Sequence, residues 1–183
     1  FCTPNGILGG HPEYGKIPGI EASTGSLGHG LSIGVGFALN AKLQKRSTRV
    51  YVVIGDGESN EGSIWEAALS AASNNLNNLT VIVDYNNLQS YGPLRDVVTL
   101  EPVAMKWESF GFETLEVDGH SVTEITSGLK SLAKQPKPSA LICHTTKGYG
   151  VDFAENNPDW HHKSSISDTE MEELLNALVT SQR

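Results

Sequence analysis

The stretch 49–89, RVYVVIGDGESNEGSIWEAALSAASNNLNNLTVIVDYNNLQ, decides the fold. It contains an apolar run at 51–54, an acidic glycine turn, an amphipathic segment predicted to be helical over 63–74, and a second apolar run at 79–83. The polar turn Asp84-Tyr85-Asn86-Asn87 closes it. Two short β-rich runs joined by one helix predict a βαβ unit with parallel, neighbouring strands. Both polar turns then lie at carboxyl ends of strands, on the edge where open α/β sheets bind ligands.

The two turns carry a chemical conflict. A glycine turn entering a helix N-terminus can cradle phosphate through backbone N–H groups. Here Asp56, Glu58 and Glu61 crowd that turn and would repel a bare phosphate. A divalent cation resolves the conflict, with a carboxylate oxygen from Asp56, an amide oxygen from Asn86 and phosphate oxygens completing the shell. Neighbouring strands lie about 4.8 Å apart, and Mg²⁺ takes oxygens at about 2.0–2.1 Å in an octahedron. Side chains from two adjacent strand ends can therefore share one ion. The plainer alternative is a Gly-Asp turn and an Asn-Asn turn with no ligand.

GDG followed about thirty residues later by NN resembles the thiamine diphosphate motif, and GDGESNEGSIWEA is similar to its transketolase form. The resemblance implies that Asp56, Asn86 and the backbone carbonyl of Leu88 ligate Mg²⁺ or Ca²⁺, with Gly57 and Glu58 against the cofactor. A second segment, GGHPEYGKIPGIEASTGSLGHG at 9–30, resembles the transketolase stretch that reaches the thiazolium ring. It implies that His11 meets substrate hydroxyls and that backbone at Gly25 and Leu27 contacts the cofactor's pyrimidine. Glu61 matches a glutamate in a carboxylate network linking the two active sites of a dimer.

Asn157-Pro158-Asp159-Trp160-His161 resembles the segment that returns a histidine to the active site. His161 is the match, for both cofactor and catalysis, while His162 stands where relatives often carry glycine. MKWESFGFETLEVDGH at 105–120 is also similar to transketolases. The family moves a two-carbon ketol unit between sugars or sugar phosphates. It also uses a glutamate from a pyrimidine-binding domain that this chain does not encode. A pyrimidine-domain partner is thus implied, within a homodimer or a heterotetramer of split type. Open alternatives are another thiamine diphosphate enzyme, of 2-oxo acid dehydrogenase or deoxyxylulose phosphate synthase type, or a non-catalytic cofactor-binding module. A nicotinamide-binding protein fits poorly, because G-x-G-x-x-G does not follow the first strand.

The whole chain frames these turns. At 183 residues it is expected to be one domain with a substantial core. Its net charge of −8 argues against nucleic-acid or anionic-membrane partners. Cys2 and Cys143 match no metal or redox spacing, and without a signal peptide or long apolar span the expected setting is the cytoplasm. Phe1-Cys2-Thr3 lacks an initiator Met, so the chain is expected to be a fragment missing upstream sequence.

Residues 1–25 are expected to form a long ordered loop. A helix is predicted over 27–46 with Ser26 as N-cap, despite Gly28, Gly30, Gly34 and Gly36. Those glycines imply close approach of another backbone, within the chain or at a subunit interface. Ser63 and Glu66 form an S-x-x-E capping-box pattern. After a loop at 88–98, helices are predicted at 102–110, 122–134 and from Asp168, and strands at 112–117 and 139–144. Asp118-Gly119-His120 is expected to be a structural turn, and His144 a satisfied core or edge histidine. Lys147 is a weak candidate for approaching phosphate. Strand-helix alternation along nearly the whole chain predicts an α/β parallel sheet with helices on both faces.

Overall fold

The computed structural model describes residues 2–3, 5–90, 92–161, 163 and 165–181. In order they form α1 (Gly30–Leu43), β1 (Val50–Gly55), α2 (Gly62–Ser73) and β2 (Leu79–Tyr85). Then come the hairpin strands β3 (Leu88–Gln89) and β4 (Gly92–Pro93), the single turn α3 (Leu94–Val97), and α4 (Val103–Ser109). The last elements are β5 (Glu113–Asp118), α5 (Val122–Leu132), β6 (Ser139–His144) and α6 (Asp168–Ser181). β1, β2, β6 and β5 lie side by side in that order, all parallel. The expected α/β architecture is therefore present, and the βαβ unit pairs Val50 with Leu79 through Gly55 with Asp84.

Strand alternation assigns the two faces. Val52, Ile54, Val81, Val83, Ala140 and Ile142 join Leu31, Ile64 and Trp107 from α1, α2 and α4 in the larger core. Trp107 is fully buried and sits 5.0 Å, centroid to centroid, from both Trp65 and Phe112. On the opposite face, Val117, Leu141 and Cys143 pack with Leu132, Ile125 and Leu129 of α5. Helices thus cover both faces, but not completely. Tyr51 and Val53, on the α5 side of the edge strand β1, remain exposed. Cys2 is exposed, and no helix among the described residues is long and apolar enough to cross a membrane.

Three local expectations are corrected. α1 begins at Gly30, not 27, and its N-cap is His29 with no side-chain capping bond. Ser26 Oγ instead meets His29 Nδ1 at 3.1 Å, and Gly28, at φ +79°, turns the chain before the helix starts. The helix stops at Leu43 because Lys45 adopts φ +54°. The Ser63–Glu66 capping box does not form: Glu61 occupies the cap position without a side-chain bond, and Ser63 Oγ donates to Gly28 O at 2.9 Å. A side-chain cap of that spacing appears on α5, where Ser121 Oγ accepts from Glu124 N at 3.3 Å. Finally, the expected loop after Asn87 contains the β3–β4 hairpin and α3. Of the helical glycines, Gly34 has an internal reason, since a Cβ there would collide with Val52 Cγ2 on β1.

Candidate functional site

The parallel register places the GDG turn and the Asp84-to-Asn87 turn side by side at the carboxyl ends of β1 and β2. Asp56 N donates to Asp84 O at 3.1 Å, so the first backbone group beyond β1 still bonds to β2. The Asp56 side chain is buried, and both its oxygens accept backbone donors: Gly57 N at 2.7 Å and Asn87 N at 2.5 Å. Burial pushes its carboxyl pKa up; the two amides oppose that, and the neighbouring Asp84 charge adds to it. Neither Asp56 nor Asp84 forms an ion pair with a basic side chain among the described residues. A second carboxylate beside a buried one, with no basic partner, is an environment that a cation would relieve.

Asn86 is equally constrained. Its Nδ2 donates to Asp84 Oδ2 at 3.3 Å, and its Oδ1 accepts from Leu88 N at 3.0 Å. A carbonyl oxygen has two lone pairs, so Oδ1 retains one for a metal. Asn87 takes φ +63°, Leu94 N bonds its carbonyl at 2.8 Å, and the hairpin pairs Leu88 with Pro93. The three groups expected to ligate a cation, Asp56, Asn86 and Leu88, thereby sit on two adjacent turns, bridged by the Asn87 N–H to Asp56. Among the described residues no three His, Cys, Asp or Glu side chains cluster as a metal site, and this donor set has one carboxylate only. Gly57 packs against Gln89, whose Cβ would be 2.8 Å from an added Cβ.

The 25–29 segment is tied to the same turn. Glu58 Oε1 accepts from Gly28 N at 2.9 Å, while Oε2 accepts from Gly55 N at 3.3 Å. A Cβ on Gly28 would come within 2.5 Å of Ser63 Oγ and 2.7 Å of Glu61 Cβ. Glu61 is exposed, at the start of α2. The structure also joins His11 to Gly25: the imidazole lies over the glycine, 2.6 Å from where a Cβ would stand. Leu27 is exposed between these contacts.

His161 belongs to a separate segment. Beyond β6, Thr145 N bonds Tyr85 O at 3.1 Å and Thr145 Oγ1 donates to Asp84 Oδ1. Thr146 N donates to His120 Nε2 at 2.8 Å, and Tyr149 stacks on the His120 ring at 3.7 Å. Asp118-Gly119-His120 is thus the structural turn expected, and His144, exposed at the carboxyl end of the inner strand β6, pairs with Glu116 at 2.7 Å. A short 3-10 turn, Pro158–Trp160, begins with Asn157 Oδ1 accepting from Asp159 N and presents the half-buried His161. His162 lies outside the described residues. A groove of about 600 Å³ runs along α1 and the open edge of β1, and neither Asp56 nor Asn86 lines it.

Sequence reading missed Asp84 and Thr145, because the contact between them spans 61 residues.

The family model for the transketolase thiamine diphosphate-binding domain matches residues 3–181. The chain belongs to the transketolase family. Among curated relatives, an apulose-4-phosphate transketolase subunit of Actinobacillus succinogenes is 46% identical over 85% of this chain and 56% of its own length. The 6-deoxy-6-sulfo-D-fructose transketolase subunit SqwG of a Clostridium species is 39% identical over 87% of this chain and 58% of its own. The chain therefore spans just over half the length of these transketolase relatives. A crystal structure of Campylobacter jejuni transketolase superposes with a TM-score of 0.89 at 32% identity, over all of this chain and 29% of that one.

Proposed function

We propose that this chain supplies the diphosphate-binding half of a transketolase that acts with a pyrimidine-binding domain or subunit. Its reaction moves a two-carbon ketol unit from a ketose or ketose phosphate to an aldose or aldose phosphate. The observation that carries this reading is the buried Asp56 carboxylate braced beside Asn86 at adjacent strand ends. That pair lies inside the match to a thiamine diphosphate-binding domain. Asp56, Asn86 and the Leu88 carbonyl would hold Mg²⁺ (or Ca²⁺), and the metal would bind the diphosphate. Thiamine diphosphate, when bound, supplies the carbanion-stabilising chemistry that the protein lacks.

The chain's own residues then bind, orient and move protons. Gly57 and the backbone at Gly25 and Leu27 would line the cofactor. Glu58, with both oxygens on backbone amides, would act by locking the 25–29 segment to the GDG turn. His11 would meet sugar hydroxyls, and His161 would hold or move a proton near the reacting carbonyl, for which an imidazole is suited. Glu61 would join a carboxylate network across a homodimer or heterotetramer. The relatives named as transketolase subunits support a split enzyme and a sugar substrate.

The test is calorimetric titration of thiamine diphosphate into the full chain assembled with its partner, with Mg²⁺ and with EDTA. Asp56→Ala is expected to abolish Mg²⁺-dependent binding, since the diphosphate would then face acidic neighbours without its anchor. Unchanged affinity in that variant would sink the metal assignment.

A further inference from the structure

Resting on that metal assignment, we infer that Asp84 is a positioning residue that orients the Asn86 amide for the cation and ties the loop after β6 to the same turn. A carboxylate has only acceptors, so Asp84 Oδ2 selects the Nδ2 end of Asn86 and leaves Oδ1 on the other side. There Oδ1 already accepts Leu88 N and keeps a lone pair for a metal. Thr145 Oγ1 fixes the other oxygen of Asp84, and Thr145 N is anchored on Tyr85 O. Strand register sets this up, because Asp84 pairs with Gly55 on one side and Cys143 on the other. Asp84 thereby touches both the Asn86 turn of β2 and the turn after β6, from which the segment bearing His161 departs. The logic is that of outer-shell carboxylates that orient metal-bound histidines, whose loss weakens metal binding by about 10–100-fold.

Orientation and charge are separable by substitution. Asp84→Ala removes both holds. Asp84→Asn removes the charge, but its oxygen can still face Asn86 Nδ2 while its amino group faces Thr145, whose hydroxyl can turn to accept. Adding Thr145→Val to Asp84→Asn removes that anchor. Mg²⁺ affinity is read by titrating Mg²⁺ into the assembled full-length protein with saturating thiamine diphosphate, alongside Tm. Asp84→Ala and the double variant are expected to bind Mg²⁺ about 10–100-fold more weakly. Asp84→Asn alone is expected to keep most of the affinity. Normal Mg²⁺ affinity in folded Asp84→Ala overturns the inference, and a lowered Tm alone would mark a merely structural role. Equal weakening in Asp84→Asn and Asp84→Ala also overturns it, because charge rather than orientation would then be at work. Asp56→Ala in the same titration separates the two layers: if it too binds normally, the metal assignment itself fails.

Discussion

The GDG–Asn turn block and the tail after β6 serve one proposed site by opposite means. The block is built on the buried Asp56 and Asn86 and braced by long-range bonds: Asp56 to Asn87, Glu58 to Gly28, Ser63 to Gly28. The tail rests on exposed contacts, such as Tyr149 on His120 and Lys163 over Trp160 at 4.1 Å. Its helix α6 leaves Met171, Leu175, Leu178 and Val179 largely exposed. On the proposed function, a braced anchor and a lightly held arm would separate binding from turnover. Anchor residues should set cofactor affinity; arm residues should set rate.

The largest expected contrast follows. Asp56→Ala should remove cofactor binding altogether, whereas His161→Ala should weaken it only modestly, through one lost cofactor contact, and lower turnover at least about a hundredfold. His162→Ala should cost far less. Steady-state kinetics and cofactor titration on the three variants, each assembled with the pyrimidine-domain partner, decide this. A dead His162 variant beside an active His161 variant would shift the assignment by one residue. Loss of cofactor binding in His161→Ala would dissolve the division between anchor and arm.

Glu61 sharpens the boundary, since it starts α2 within the anchor yet faces solvent in the isolated chain. Glu61→Gln keeps the shape and removes the charge. Its Tm should barely move, while turnover of the assembled enzyme should fall roughly tenfold, the scale of one hydrogen bond to a charged group. Full turnover would leave Glu61 a solvated turn acid.

Most of the anchor's backbone was legible in the sequence because it is built from local pattern. Apolar runs of strand length around one helical segment fixed β1, α2 and β2, and the turn residues then had to share a sheet edge. Side-chain partnerships were harder to read because they are non-local. Ser63 looked like a cap from its spacing to Glu66, but its acceptor is Gly28, 35 residues upstream. Asp84 looked like one more turn acid until strand pairing brought Thr145 beside it. In the tail, the position of His161 rested on resemblance alone, since no apolar periodicity runs through 145–167 to anchor a reading.

The smallest effect probes how loosely the arm is held. Lys163 Nζ lies 2.5 Å from Glu170 Oε1, and Ser167 N and Oγ donate to Oε2. Lys163 first, then Ser167, holds the Glu170 carboxyl down to about 2, below the ordinary 4.5. A depressed carboxyl contributes stability above its unfolded pKa and loses it as pH falls through the folded one. The contact should therefore be intact at neutral pH and fade between about 4.5 and about 2. Solvent-facing pairs of this kind contribute little, so Glu170→Gln should leave Tm at pH 7 nearly unchanged. Hydrogen exchange should instead quicken in the first turn of α6, and the wild type should approach the variant's rates as pH drops through that window. Exchange there is compared after correcting for its intrinsic pH dependence. If Glu170→Gln lowers Tm and loosens β1 and β2 together with α6, the tail belongs to the same cooperative unit as the anchor, and the contrast between them fails.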